Sequence, residues 1–161
     1  MKKTAMPKID IAKAVVRTTT IYPAEFADAT RGREKAALGN LAGLTQFGVN
    51  LTRLKPGASS SLRHWHEQED EFVYVLEGEV ALIEDEGETF LRAGDAAGFK
   101  AGIANGHCLV NRSNRDALVL EVGTRAANER AHYPDADLKF ERDGKSARFF
   151  HMSGEPYPEQ H

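Results

Sequence analysis

The chain has 161 residues, 41% of them hydrophobic and 28% charged, with 21 Lys and Arg against 24 Asp and Glu for a formal net charge of −3. That length is one domain able to bury roughly two-thirds of its unfolded surface; the charge balance supplies no overall positive field to hold nucleic acid, and the apolar content excludes disorder and collagen-like repeats. A single cysteine, Cys108, excludes an internal disulfide and a zinc site of several thiolates, and fits a reducing compartment.

The start Met1-Lys2-Lys3 has the charge of an export signal, but Asp10 and Lys13 interrupt the apolar stretch such a signal requires. No apolar run approaches the roughly 18 residues of a membrane span, so a cytoplasmic protein with neither a membrane nor a nucleic-acid partner is expected.

Residues 1–44 are weakly periodic, with Pro7, Pro23, Gly32, Gly39 and Gly43 scattered around a basic stretch at Arg31, Arg33 and Lys35. They read as an irregular N-terminal arm. At Phe47, Val49 and Leu51 the period changes to two, against Gln46, Gly48, Asn50 and Thr52, which predicts a strand with one buried face ended by Pro56-Gly57. Further strands are predicted at Glu71 to Leu76, Glu79 to Ile83, Thr89 to Leu91, Ala96 to Phe99, Cys108 to Asn111 and Leu118 to Val122. Glu77-Gly78, Asp85-Glu86-Gly87, Ala93-Gly94-Asp95 and the stretch from Asn111 to Asp116 are spaced as hairpin connections. Many short strands without helical periodicity predict an antiparallel sandwich or barrel over 45–124, with Val73, Val75, Phe47 and Leu120 in its core. From Arg125 the polar residues and Pro134, Pro156 and Pro158 predict an irregular C-terminal arm, 125–161, lying over the sheet.

His64 and His66 flank Trp65, and residues two apart on a strand point to one face. After the acidic stretch Glu67 to Asp70 the next strand opens at Glu71, and a return of the chain there brings its carboxylate toward the two imidazoles. His107 begins a later apolar run. Imidazoles with a carboxylate suit one divalent transition metal, Mn, Fe, Co, Ni or Zn.

The wider spacing, Gly57, then His64-x-His66, then Glu71, then Gly78, followed by Gly94, Gly102, His107 and Asn111, resembles the two motifs of the cupin superfamily, G-x5-H-x-H-x3 to 4-E-x6-G and G-x5-P-x-G-x2-H-x3-N. The resemblance implies a jelly-roll barrel with His64, His66, Glu71 and His107 as metal ligands. Asp70 is the rival carboxylate, but Glu71 alone keeps six residues before Gly78. The sequence departs from the motifs in three places: six residues separate Gly57 from His64, Lys100 replaces the proline, and four residues separate Gly102 from His107.

The chain is most similar in pattern to small single-domain bacterial cupins described as sugar-phosphate isomerases. That likeness implies a small-molecule substrate, a homodimer and metal-dependent isomerisation of a sugar or sugar phosphate. A mononuclear metal dioxygenase and a non-catalytic small-molecule binding module remain open. A phosphorylated substrate requires a cation at the barrel mouth. Lys100 is the first candidate, with Arg53, Arg63 and Arg92 the other basic residues near the motif strands. By parity Trp65 and Cys108 face away from the histidines, toward core or interface. The run Glu67 to Asp70 reads as a solvated loop tip, and His132, His151 and His161 as exposed.

Overall fold

The computed structural model describes residues 7–159; the basic start and His161 lie outside them. The strands, in chain order, are β1 (Val16–Arg17), β2 (Arg33–Ala37), β3 (Phe47–Leu54), β4 (Trp65–His66), β5 (Glu71–Glu77), β6 (Glu79–Glu84), β7 (Gly87–Arg92), β8 (Ala96–Phe99), β9 (Cys108–Val110), β10 (Ala117–Thr124), β11 (Asn128–His132), β12 (Lys139–Asp143) and β13 (Ser146–Phe150). A short α-helix, Leu38–Leu41, and two 3-10 turns, Ile11–Lys13 and Ala24–Thr30, complete the described elements. No helix among the described residues is long and apolar enough to cross a membrane.

One sheet runs β1-β2-β3-β10-β5-β8, a second β13-β12-β11-β4 and a third β7-β6-β9. The chain passes between the first and third sheets from β5 to β6, β7 to β8 and β9 to β10, giving an antiparallel jelly roll. Between these sheets Leu54, Val73, Val75 and Val119 meet Val80, Leu82, Leu91 and Leu109. A second core of Tyr22, Ala131, Tyr133, Leu138, Phe140 and Tyr157 lies under the C-terminal sheet.

The crossings correct the hairpin reading. Of the four expected connections, only Asp85-Glu86, before Gly87, closes a hairpin, β6 to β7. Gly78 instead lets the chain leave one sheet for the other, at φ 79°, with the Asp116 carbonyl oxygen 2.8 Å from where a Cβ would stand. The parity of β3 is also reversed. Leu54 and Thr52 face inward, while Phe47 is 38% exposed and Leu120 only half-buried. At this end the inner face lines a cavity through Gly48 and Asn50, so the polar side of the alternation points inward.

Both flanking segments are more ordered than expected. The C-terminal segment contributes β11, β12 and β13. Its strands escape a search for apolar alternation because Glu129 and Ala131 are the buried pair of β11 and Phe140 is the one buried residue of β12. In the N-terminal segment, β2 is Arg-Glu-Lys-Ala-Ala, a charged strand held by β1 on one side and β3 on the other.

Candidate metal centre

The two residues of β4 pair with β11, His66 opposite Ala131 and Trp65 opposite His132. One step earlier, the His64 and His107 backbones exchange hydrogen bonds of 3.1 and 2.9 Å. The rings then stand 4.8 Å apart, and His64 lies 4.9 Å from His66. Glu71, the first residue of β5, completes the cluster. Its Oε2 lies 3.5 Å from His64 Nε2 and 2.6 Å from His107 Nε2, and its Oε1 lies 3.4 Å from His66 Nε2.

The rings are held from behind. His64 Nδ1 donates to the Leu62 carbonyl at 2.9 Å. A carbonyl can only accept, so Nδ1 carries a proton and the ring is fixed with Nε2 turned toward Glu71. Phe99 lies flat on His107 at 3.6 Å. His66 Nδ1 is buried without a hydrogen-bond partner, 3.8 Å from Glu69 Oε2 and 4.0 Å from Glu129 Oε2. Those carboxylates hold neighbouring groups: Glu69 accepts from Arg142 at 2.6 Å and Glu129 from the Glu67 N–H at 2.9 Å.

Burial raises the pKa of the Glu71 carboxyl, but hydrogen bonds from His107, His64 and His66 outweigh it and hold it well below the usual carboxylate range. At His107 burial wins and lowers the pKa. At His66 burial is outweighed by Glu71, with Glu129 and Glu69 adding to the rise. Donor atoms of His64, His66 and Glu71 all lie within 4.8 Å of one another and can hold a metal ion. Two imidazole nitrogens and an ionised carboxylate fit a borderline divalent ion, and no thiolate is needed. His107 shares the Glu71 oxygen. His66, Glu69 and Glu129 form a second such group, whose carboxylates already accept the hydrogen bonds above.

The cluster opens into a cavity of about 630 Å³ whose wall includes Arg17, Arg33, Lys35, Arg125 and Arg142. None of these was singled out as a substrate contact by sequence, because they lie in segments read as arms. Lys100 lines a second, smaller cavity of about 210 Å³ that His66, Glu71 and His107 of the cluster also line. Arg53, Arg63 and Arg92 are paired with Asp116, with Asp85 and Asp135, and with Glu79, and none of the three lines the larger cavity.

In the stretch Glu67 to Asp70, Gln68 and Asp70 are exposed, but Glu69 is half-buried against Arg142. His132 is half-buried, stacked on Trp65 at 4.3 Å and bonded to Glu67 at 2.7 Å. His151 stacks on Tyr157 at 3.8 Å. Cys108 is buried, which pushes its thiol up to about 11.

Residues 50–123 match the family model described as Cupin domain. No curated protein sequence matches the chain. A structure named as a sugar phosphate isomerase from a cupin superfamily, from Silicibacter pomeroyi, is 45% identical with a TM-score of 0.90, over 94% of this chain and 97% of that one. A protein provisionally named a sugar phosphate isomerase, from Acidithiobacillus ferrooxidans, is 25% identical with a TM-score of 0.76, over 88% and 86%. A predicted oxalate decarboxylase from Thermotoga maritima, 22% identical with a TM-score of 0.60 over 74% and 99%, shares the fold. The motif spacing, the jelly roll and this likeness across nearly the whole chain agree: the protein belongs to the cupin superfamily.

Proposed function

We propose that the protein is a metal-dependent isomerase of a small sugar phosphate, with His64, His66, Glu71 and His107 as the metal ligands. The observation that carries this reading is the histidine and carboxylate cluster at the wall of a cavity of about 630 Å³ that also holds cationic side chains. The likeness to the Silicibacter pomeroyi protein supports the substrate class.

When bound, the metal supplies Lewis-acid polarisation of a sugar carbonyl, which lowers the pKa of the neighbouring C–H. The chain's own residues do the rest. His64, with Nδ1 donating to Leu62, keeps its ring fixed and its Nε2 turned toward the ligand cluster. Isomerisation between adjacent carbons requires a base that takes a proton from one and returns it to the other. We assign that work to Glu121 on β10, which lines the cavity, faces inward opposite Val73 and lies outside the ligand cluster. Lys35 at 3.0 Å and the Thr52 hydroxyl at 2.9 Å hold its carboxylate in place.

The test is proton NMR of the metal-loaded protein with mannose 6-phosphate and fructose 6-phosphate in D2O. Interconversion with deuterium entering at C2 is expected, lost in Glu121→Gln while metal content by elemental analysis stays the same. His66→Ala is expected to lose the metal and keep its fold, because the jelly-roll core is apolar and separate from the cluster. No exchange with any sugar phosphate overturns the isomerase reading. Sugar binding without turnover then indicates a binding module, and iron with oxygen uptake indicates a dioxygenase.

A further inference from the structure

We propose that the inner face of the β1–β2 ribbon, where Arg17 and Arg33 stand beside the Glu121-paired Lys35, is the subsite that receives the substrate's phosphate. The inference rests on the sugar phosphate reading for the class of ligand, while the subsite is argued from the sheet itself.

Strand parity places Arg33 and Lys35 on one face of β2, and the ladder sets Arg17 directly opposite Lys35. All three line the large cavity. Like charges directly opposite on neighbouring strands destabilise a sheet, so the ribbon carries a local repulsion that a bound anion relieves. Compensation within the protein is partial. Lys35 pairs with Glu121 at 3.0 Å. Arg17 is exposed and has no ion pair among the described residues. Arg33 is half-buried, and its guanidinium donates to two neutral carbonyls, Ser60 at 2.7 Å and Thr19 at 3.3 Å. Among the described residues it has no carboxylate at ion-pair distance, and burial lowers its pKa despite the nearby Glu121 charge. Two of its five N–H donors are used in this way, which leaves three for an anion. The other cations of the cavity are engaged: Arg125 donates to Asn40 and Leu44, and Arg142 to Glu69 and Ala126.

The position suits a two-ended ligand. On the inner face Lys35 lies opposite Thr52, Thr52 opposite Val119 and Val119 opposite Val75, so the ribbon and the Glu71 strand belong to one concave surface. The steps β2 to β3, β3 to β10 and β10 to β5 are three inter-strand spacings, about 14 Å along the sheet. Arginine and lysine side chains reach inward across part of that span. A phosphate carrying close to two negative charges at neutral pH would meet the guanidinium of Arg33 while the sugar's oxygens face the histidines. Planar guanidinium donors match phosphate oxygens in pairs.

The experiment is calorimetric titration of the metal-loaded full chain with inorganic phosphate at low salt and neutral pH. Arg33→Gln is expected to weaken binding about tenfold or more and Arg17→Glu about fivefold, both with unchanged metal content, while Arg92→Gln, a surface cation away from the cavity, leaves it unchanged. Arg33 also ties the arm to Ser60, so Arg17→Glu, on an exposed side chain, decides the matter if Arg33→Gln fails to fold. Unchanged phosphate affinity in Arg17→Glu and in folded Arg33→Gln, or no binding to the parent protein at millimolar phosphate, overturns the proposal. The two readings fail separately. Isomerisation with an unaltered KM for the sugar phosphate in Arg17→Glu removes the subsite and leaves the isomerase. Phosphate binding that these variants weaken, in a protein that exchanges no sugar proton, keeps the subsite and removes the isomerase.

Discussion

Glu129 holds the backbone of Glu67: its Oε1 accepts from the Glu67 N–H at 2.9 Å, and the Gln68 N–H reaches both carboxylate oxygens at 3.3 and 3.2 Å. The side chain is fully buried on β11, the strand paired with β4, with its Oε2 4.0 Å from His66 Nδ1. Glu129→Ala leaves the Gln68 amide without this acceptor and the Glu67 amide with the Arg130 carbonyl at 3.0 Å alone, and opens a gap beside His66. A loss of about 3 kcal/mol in stability is expected, with metal affinity falling about 10-fold to 100-fold. Glu129→Gln, which keeps an accepting oxygen, is expected to lose less of both. Urea denaturation and metal retained after dialysis check the pair, and an Ala variant matching the parent in both refutes the role.

Gly78 and Gly43 separate two effects of a side chain at positive φ. Both have similar backbone angles, φ 79° and φ 73°, but a Cβ at Gly78 meets the Asp116 oxygen at 2.8 Å and one at Gly43 meets nothing within 4 Å. Gly43→Ala is expected to lose about 1 kcal/mol from backbone conformation alone. Gly78→Ala is expected to lose about 2–3 kcal/mol, the excess coming from the clash at the crossing between sheets. Equal losses in chemical denaturation would show that the corner can relax.

Burial pushes the Tyr22 phenol up to about 12, opposed by the Leu62 hydrogen bond. The unfolded chain ionises this group near pH 10. Above that pH the unfolded state releases its proton while the folded state keeps it, so stability falls as pH rises from about 10 to about 12 and then levels. Below pH 10 the group contributes no slope. The drop is on the order of 2–3 kcal/mol for a shift of this size. Tyr22→Phe is expected to flatten that part of the profile, measured by urea denaturation from pH 8 to pH 12. A profile unchanged by the substitution refutes it.

The strands of the jelly roll were legible where an apolar residue recurs at every second position, as at Val73 and Val75, which the structure buries. The same period misassigned the sides of β3, because a wall of a polar cavity inverts the usual meaning of the alternation. His64, His66 and Glu71 could be read from spacing because parity and one short return settle which way they point. Glu129, Arg17 and Arg33 could not. They are polar residues on short strands whose partners lie elsewhere in the chain, and a charged strand facing a cavity has the composition of a loop. Lys100 draws attention by standing in the motif's proline position, and it lines the smaller cavity that His66, Glu71 and His107 share.

The pairing of β4 with β11 carries a consequence for how the site is made. His66 stands on a strand of two residues, and its ladder partner Ala131 lies in a strand formed far later in the chain. Closing so long a loop is an entropic debt met before the pairing contributes anything in return. A growing polypeptide therefore carries the H-x-H triplet long before it carries the geometry of the site, which is completed late, with the docking of β11. Proteolytic loss of that strand would strip the histidine of its alignment while leaving every proposed ligand in the chain.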